Sequence, residues 1–153
     1  MMNPLVEYMR TTKLNQTETE LLWRSGDTLV TFTAPHNKGT MRDGVSKIRD
    51  TNVGIIALEA AKISKANALI PLTPGDNDGN WHNDSHFRSA LESLVEKGSI
   101  IIDVHGMHDG HGFDIIAGTC GGKTPEWLSA TVKEVFATAG FTIDLRPTDS
   151  LSA

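Results

Sequence analysis

Short apolar runs alternate along this chain with longer segments of helical period, and that alternation most constrains its fold. Thr28–Ala34 (TLVTFTA), Asn67–Pro71 (NALIP), Ser99–Val104 (SIIIDV), Phe113–Ala117 (FDIIA) and Phe141–Leu145 (FTIDL) are each of strand length. Between them, Asp50 to about Lys65 places Val53, Ala57, Ala60, Ala61 and Ser64 near one helical stripe, with Ile56 and Ile63 beside it. Asp84–Lys97 keeps Phe87, Ala90, Leu91, Leu94 and Val95 at i, i+3, i+4 spacing and ends at Gly98. Thr124 with Pro125 opens a third helix that runs to about Ala139 and closes at Gly140. Strands alternating with helices predict a layered α/β domain with a parallel or mixed sheet.

At 153 residues the chain reads as one domain spanning 1–153, with residues 1–16 a polar lead-in or edge element. Glu20–Arg24 and Thr28–Ala34 flank Ser25-Gly26-Asp27 and read as a hairpin; Thr17 and Glu20 also have capping-box spacing, so Thr17–Trp23 competes as a short helix. The net charge of −5 and the scattered basic residues give no electrostatic footprint for nucleic acid. No apolar stretch is of membrane-spanning length, and no secretory leader is apparent at the N-terminus. The lone cysteine, Cys120, rules out an intrachain disulfide, reads as structural and favours a reducing, cytoplasmic compartment.

Two of the apolar runs deliver a histidine at their carboxyl end: Thr28–Ala34 leads through Pro35 to His36, and Ser99–Val104 leads to His105. Open α/β sheets place their sites at the carboxyl ends of strands, so the two histidines are expected at one sheet edge. A catalytic zinc takes three N/O ligands and keeps a position for water. Asp43 and Asp50 both follow His36 and tie as the acidic third ligand. Asp43 also suits a turn before Gly44, and Asp50 suits a helix start.

Several further residues are candidates. Asp103 lies two positions before His105, on the same strand face, where it would orient a histidine. His108 and His111 of the GMHDGHG loop are candidate ligands, substrate contacts or general acids. His86 and Arg88 near a helix N-terminus, with Arg42 and Arg49, are candidates for a substrate carboxylate. Asp76-Asn77-Asp78-Gly79 only faintly echoes a calcium loop, lacking the terminal glutamate. Neither a Gly-x-Ser-x-Gly elbow nor a P-loop occurs.

The order of these pieces resembles the N-formylglutamate amidohydrolase family, which is related to zinc carboxypeptidases and succinylglutamate desuccinylase-like deacylases. The segments that carry it are APHNKG at 34–39, KIRDTNVGIIALEAAK at 47–62, DSHFRSALESLVEKG at 84–98 and IIIDVHGMHDGHGFDIIAG at 100–118; the likeness spans roughly residues 28–146. The resemblance implies a three-layer α/β/α sandwich of the phosphorylase/hydrolase type with a mixed, mostly parallel sheet. It implies zinc-dependent hydrolysis, by metal-activated water, of the amide of an acidic N-acyl amino acid or short peptide. One zinc ion would be held by His36, His105 and Asp50, or less favourably Asp43, and Arg88 or Arg42 would hold the substrate carboxylate. Two features depart from the pattern: position 39 is glycine where carboxypeptidases carry a glutamate ligand, and no glutamate follows Glu134, where relatives supply a late general base. The base then falls to Asp50, Asp43, His108 or His111, or the scaffold binds a metal or small ligand without turnover. A metal-free α/β binding protein with structural histidines is the third expectation.

Overall fold

The computed structural model describes residues 21–74, 77–119 and 123–146. The chain divides into two compact units, Met1–Met107 and His108–Ala153. Among the described residues the fold is mixed α/β, and no helix is long and apolar enough to cross a membrane. Residues 1–16, Thr17–Glu20, Asp76 and Cys120, which figure in the sequence reading, lie outside the described residues.

In the first unit, β1 (Leu21–Arg24), β2 (Val30–Thr33), β5 (Asn67–Pro71) and β6 (Ile100–Asp103) form one sheet in the order β1-β5-β2-β6. β2 runs parallel to both β5 and β6, and β1 runs antiparallel to β5. The expected hairpin between the first two strands is therefore not formed, because β5 inserts between them. The Ser25-Gly26-Asp27 segment wraps the entry to β5 instead. Gly26 N–H donates to Asn67 Oδ1 at 2.8 Å, and Asp27 N–H donates to the Lys65 carbonyl. Backbone of Lys65 and Ala66 fills the space that a side chain at position 26 would need.

β3 (Thr40–Arg42) and β4 (Val45–Lys47) form a separate hairpin. Its two-residue turn, Asp43-Gly44, has φ of 50° and 77°, the doubly positive conformation that matches strand twist in tight hairpins. The hairpin leads the chain away from His36 and returns it to Asp50.

The helix expected from Asp50 begins at Val53, as α1 (Val53–Ile63). Two features delay it: Asp50 N–H is spent on the His36 carbonyl at 2.9 Å, and Asn52 takes a left-handed φ of 64°. Val53, Ala57, Leu58 and Ala61 bury against Leu22, Ala34, Ala68 and Ile70. The next helix, α2 (His86–Glu96), is capped by the Ser85 hydroxyl, which accepts from Arg88 N–H. Its Phe87 and Leu91 pack with Leu21 and Leu69. Successive residues of a strand face opposite ways, so β5 gives Ala68 and Ile70 to α1 and Leu69 to α2. All five residues of β5 are buried, as expected of a strand covered on both faces. β6 ends the sheet order, and its Ile100 is exposed.

In the second unit, β7 (Ile115–Gly118) pairs in parallel with β8 (Ile143–Arg146), joined by α3 (Glu126–Thr138). Asp114 ties the entry to β7 to Thr142, accepting from its N–H and its hydroxyl at 2.7 Å each. Leu128, Val132 and Phe136 of α3 are half-buried, and none of the helix's residues is fully buried.

Candidate metal centre

β2 and β6 are adjacent parallel strands, so both histidines emerge at the same end of the sheet. His36 sits in a short 3-10 turn, Pro35–Asn37, that follows β2 and begins with proline. Asn37 fixes this turn by donating to the Pro71 carbonyl at the end of β5, at 2.7 Å. The same side chain occupies the space beside Gly54, where a Cβ would collide with it. Glycine at 54 thus lets α1 approach the histidine turn closely.

Asp50 completes the group. Its Oδ2 lies 3.6 Å from His36 Nδ1 and 3.6 Å from His105 Nδ1, and it accepts from Gly106 N–H at 2.8 Å. The imidazole rings stand edge to face with centroids 4.9 Å apart. One ligand atom from each of His36, Asp50 and His105 lies within 4.8 Å of the others. Two ligand atoms about 2 Å from one zinc ion in tetrahedral geometry lie about 3.3 Å apart; the two 3.6 Å histidine–aspartate spacings are close to that value, and the 4.8 Å bound on the whole group means that the ligands draw in around an ion. Two imidazole nitrogens and one carboxylate oxygen form a donor set of the zinc class.

The outer nitrogens of both rings meet a single loop. Asp78, fully buried, places Oδ1 2.9 Å from His36 Nε2. Its Oδ2 accepts from Arg42 Nη2 at 2.7 Å and Nε at 3.0 Å. Asn80 Nδ2 lies 2.9 Å from His105 Nε2. The loop is held in turn by Asp78 N–H, which donates to the Met41 carbonyl of the hairpin, and by Asn80 N–H, which donates to Asp78 Oδ1. Carboxylates and amides at the far nitrogen of a ligating histidine fix its ring and its tautomer. The sequence reading missed Asp78 and Asn80, seeing at this place only the faint calcium-loop echo. The one available signal was a cluster of Asp and Asn in a loop preceding a helix.

The electrostatics follow the contacts. Burial alone would raise the Asp78 carboxyl, but hydrogen bonds from His36 and Arg42 outweigh it and hold its pKa below the ordinary value. Burial and the neighbouring His36 push the His105 imidazole down, against the opposing pull of Asp50. Asp103 keeps an exposed edge, yet the protein atoms around its carboxyl push it up to about 6.

The remaining sequence candidates take other places. Asp43 stands outside the cluster, accepting from Trp81 Nε1 at 2.9 Å with His82 Nε2 3.8 Å away. Asp103 accepts from the Thr33 hydroxyl, and the expected role of orienting a histidine falls to Asp78 and Asn80. Arg42 is committed to Asp78, and Arg88 pairs with Glu92 one helical turn on. His86 is the half-buried first residue of α2. Arg49, exposed and next to Asp50, makes no hydrogen bond or ion pair among the described residues. His108 and His111 belong to the second unit, where His108 Nδ1 accepts from Gly110 N–H at a 3-10 turn over Asp109–His111.

Comparison with protein families, with curated proteins and with solved structures finds no match for this chain.

Proposed function

We propose that this protein is a metal-dependent amidohydrolase that cleaves the amide of an N-acyl amino acid or short peptide carrying a carboxylate, with one zinc-class ion at His36, Asp50 and His105. The observation that carries the reading is the convergence of these three ligand atoms at the carboxyl end of two neighbouring parallel strands. When bound, such an ion polarises a carbonyl and lowers the pKa of a water molecule. The chain's own contribution is placement. Asp78 and Asn80 hold the two imidazoles from outside, and Gly106 N–H holds Asp50. Of the arginines that the sequence singles out, Arg42 and Arg88 are paired within the chain, so Arg49, next to Asp50 in sequence, is the one proposed to receive the substrate carboxylate. The three-layer α/β/α arrangement belongs to the same proposal, supported by the alternate packing of β5 residues on α1 and α2.

One observation favours a second reading, a metal-binding module without turnover. Among the described residues, the carboxylates that touch the two histidines are Asp50, taken as a ligand, and Asp78, saturated by His36, Arg42 and Asn80. Neither is free to act as a base.

The deciding experiment measures metal stoichiometry after loading with zinc, and amine release from N-formyl, N-acetyl and N-succinyl amino acids. One ion per chain with metal-dependent release, both lost in His36→Ala and His105→Ala, supports the hydrolase. One ion per chain with no release supports the binding module. Absence of metal uptake ends both.

A further inference from the structure

Trp81 is 59% exposed, yet it is held at two points. Its Nε1–H donates to Asp43 Oδ2 at 2.9 Å, and the Arg42 guanidinium carbon lies 4.6 Å from its ring centroid. A ring held at both edge and face has already given up its side-chain entropy, offset by those two contacts, before any ligand arrives. Arg42 is itself anchored by Asp78, which holds His36, so ring, guanidinium, carboxylate and imidazole form a continuous series of contacts. Asn80, the residue before Trp81, reaches His105. The indole is thus tied to both histidines of the cluster while most of it remains open to solvent.

We propose that Trp81 is a specificity-determining platform beside the metal centre, and that it selects substrates bearing an electron-rich aromatic ring, such as a phenol. This inference rests on the hydrolase reading for the word substrate, but its geometry does not depend on turnover. A cation on one face of an indole draws π density toward itself. The opposite face is then a poorer partner for cations and a better one for an electron-rich ring. The platform is also preorganised, so little side-chain entropy remains to be lost on binding.

The test compares binding of three probes to the zinc-treated full chain: N-acetylalanine as reference, N-acetyltyrosine, and N-(4-hydroxybenzoyl)alanine, which carries the ring on the acyl side. Titration by NMR gives Kd without any need for hydrolysis. At least one ring-bearing probe should bind about threefold to tenfold more tightly than the reference, the range an aromatic pair supplies. Trp81→Ala should erase that preference, and Trp81→Phe, which keeps a ring but loses the Asp43 bond, should retain part of it. Thermal melts establish that both variants are folded. Equal binding of all three probes, or a preference that survives Trp81→Ala, overturns the inference. The two readings fail separately. A Trp81-dependent ring preference without amine release leaves the platform and removes the hydrolase. Amine release from all three probes with no ring preference does the reverse.

Discussion

Asp78 Oδ1 lies 2.9 Å from His36 Nε2, and the other oxygen of the same carboxylate is gripped by Arg42. One fully buried side chain therefore joins the histidine turn, the β3–β4 hairpin and the loop that carries Asn80. Replacing it by alanine leaves Arg42 and His36 without their partner. Arg42 keeps some access to water, so the loss is expected below the full cost of breaking a buried pair, at about 2–3 kcal/mol by denaturant unfolding. Asp78→Asn should cost less stability but still weaken zinc binding by about tenfold to a hundredfold. The sign with pH follows from the depressed pKa of Asp78. Its contribution is fully present above the ordinary carboxylate value of 3.8 and is lost as pH falls through the lower folded value. The wild-type advantage over Asp78→Asn should therefore shrink only in strong acid. An advantage that is already gone near neutral pH would contradict the assignment.

Metal binding should be visible as stability. An ion that binds the folded protein alone stabilises it by about 2.7 kcal/mol at a hundredfold excess over Kd, equivalent to roughly 5–10 °C in Tm for a chain of this size. Zinc should raise Tm by that order and a chelator should return it. His36→Ala, Asp50→Asn and His105→Ala should each abolish the increment, whereas Asp43→Asn should preserve it, since Asp43 bonds Trp81 and lies outside the cluster. A zinc response intact in Asp50→Asn but absent in Asp43→Asn would exchange the two carboxylates.

The sequence made some of this legible and hid the rest for identifiable reasons. The apolar runs ending at His36 and His105 were readable because strand length and strand-end position are local properties. Their adjacency followed from the general rule for α/β sheets. The choice between Asp43 and Asp50 was not readable, because it depends on how a two-residue turn folds the chain back. Asp43 sits at the tip of that turn, and Asp50 returns to hydrogen-bond His36. Asp78 and Asn80 were hidden because a polar loop residue looks the same whether it faces water or a histidine. The placement of β5 between β1 and β2 was hidden for a similar reason. Ser25-Gly26-Asp27 has hairpin composition, and only the long-range bonds of Gly26 and Asp27 to Asn67 and Lys65 show that it wraps another strand.

The metal-free protein should lose stability as the pH is lowered through the imidazole range, and part of that slope should belong to His105. Burial and His36 lower its pKa in the folded state from the ordinary 6.5. Between that value and the lower folded one, the unfolded chain binds a proton that the folded chain does not. Stability therefore falls with pH across this window and levels off below it. Unfolding free energies measured in chelator from about pH 7.5 to about pH 5 should show a shallower dependence in His105→Asn than in wild type. Identical slopes would remove His105 as a source. The same lowered pKa favours metal binding, because a neutral imidazole does not have to release a proton to the solvent before it ligates.

The contact between Asn80 and His105 makes the sharpest prediction about tautomers. Asn80 Nδ2 is placed 2.9 Å from His105 Nε2, and an amide that donates there goes with a neutral ring whose proton is on Nδ1, facing Asp50 Oδ2. Ligation through Nδ1 requires the opposite arrangement, with the proton on Nε2 and an acceptor opposite it. A half-turn of the Asn80 amide supplies that acceptor as Oδ1. Aspartate at this position only accepts, so Asn80→Asp should lock the ligating tautomer, as carboxylates do behind metal-bound histidines. Zinc affinity measured by chelator competition should rise by about tenfold in Asn80→Asp and fall in Asn80→Leu. The 15N shifts of His105 should report Nε2 protonation in the metal-free Asn80→Asp protein and Nδ1 protonation in wild type. Weaker zinc binding in Asn80→Asp, with the tautomer unchanged, would show that His105 does not ligate through Nδ1.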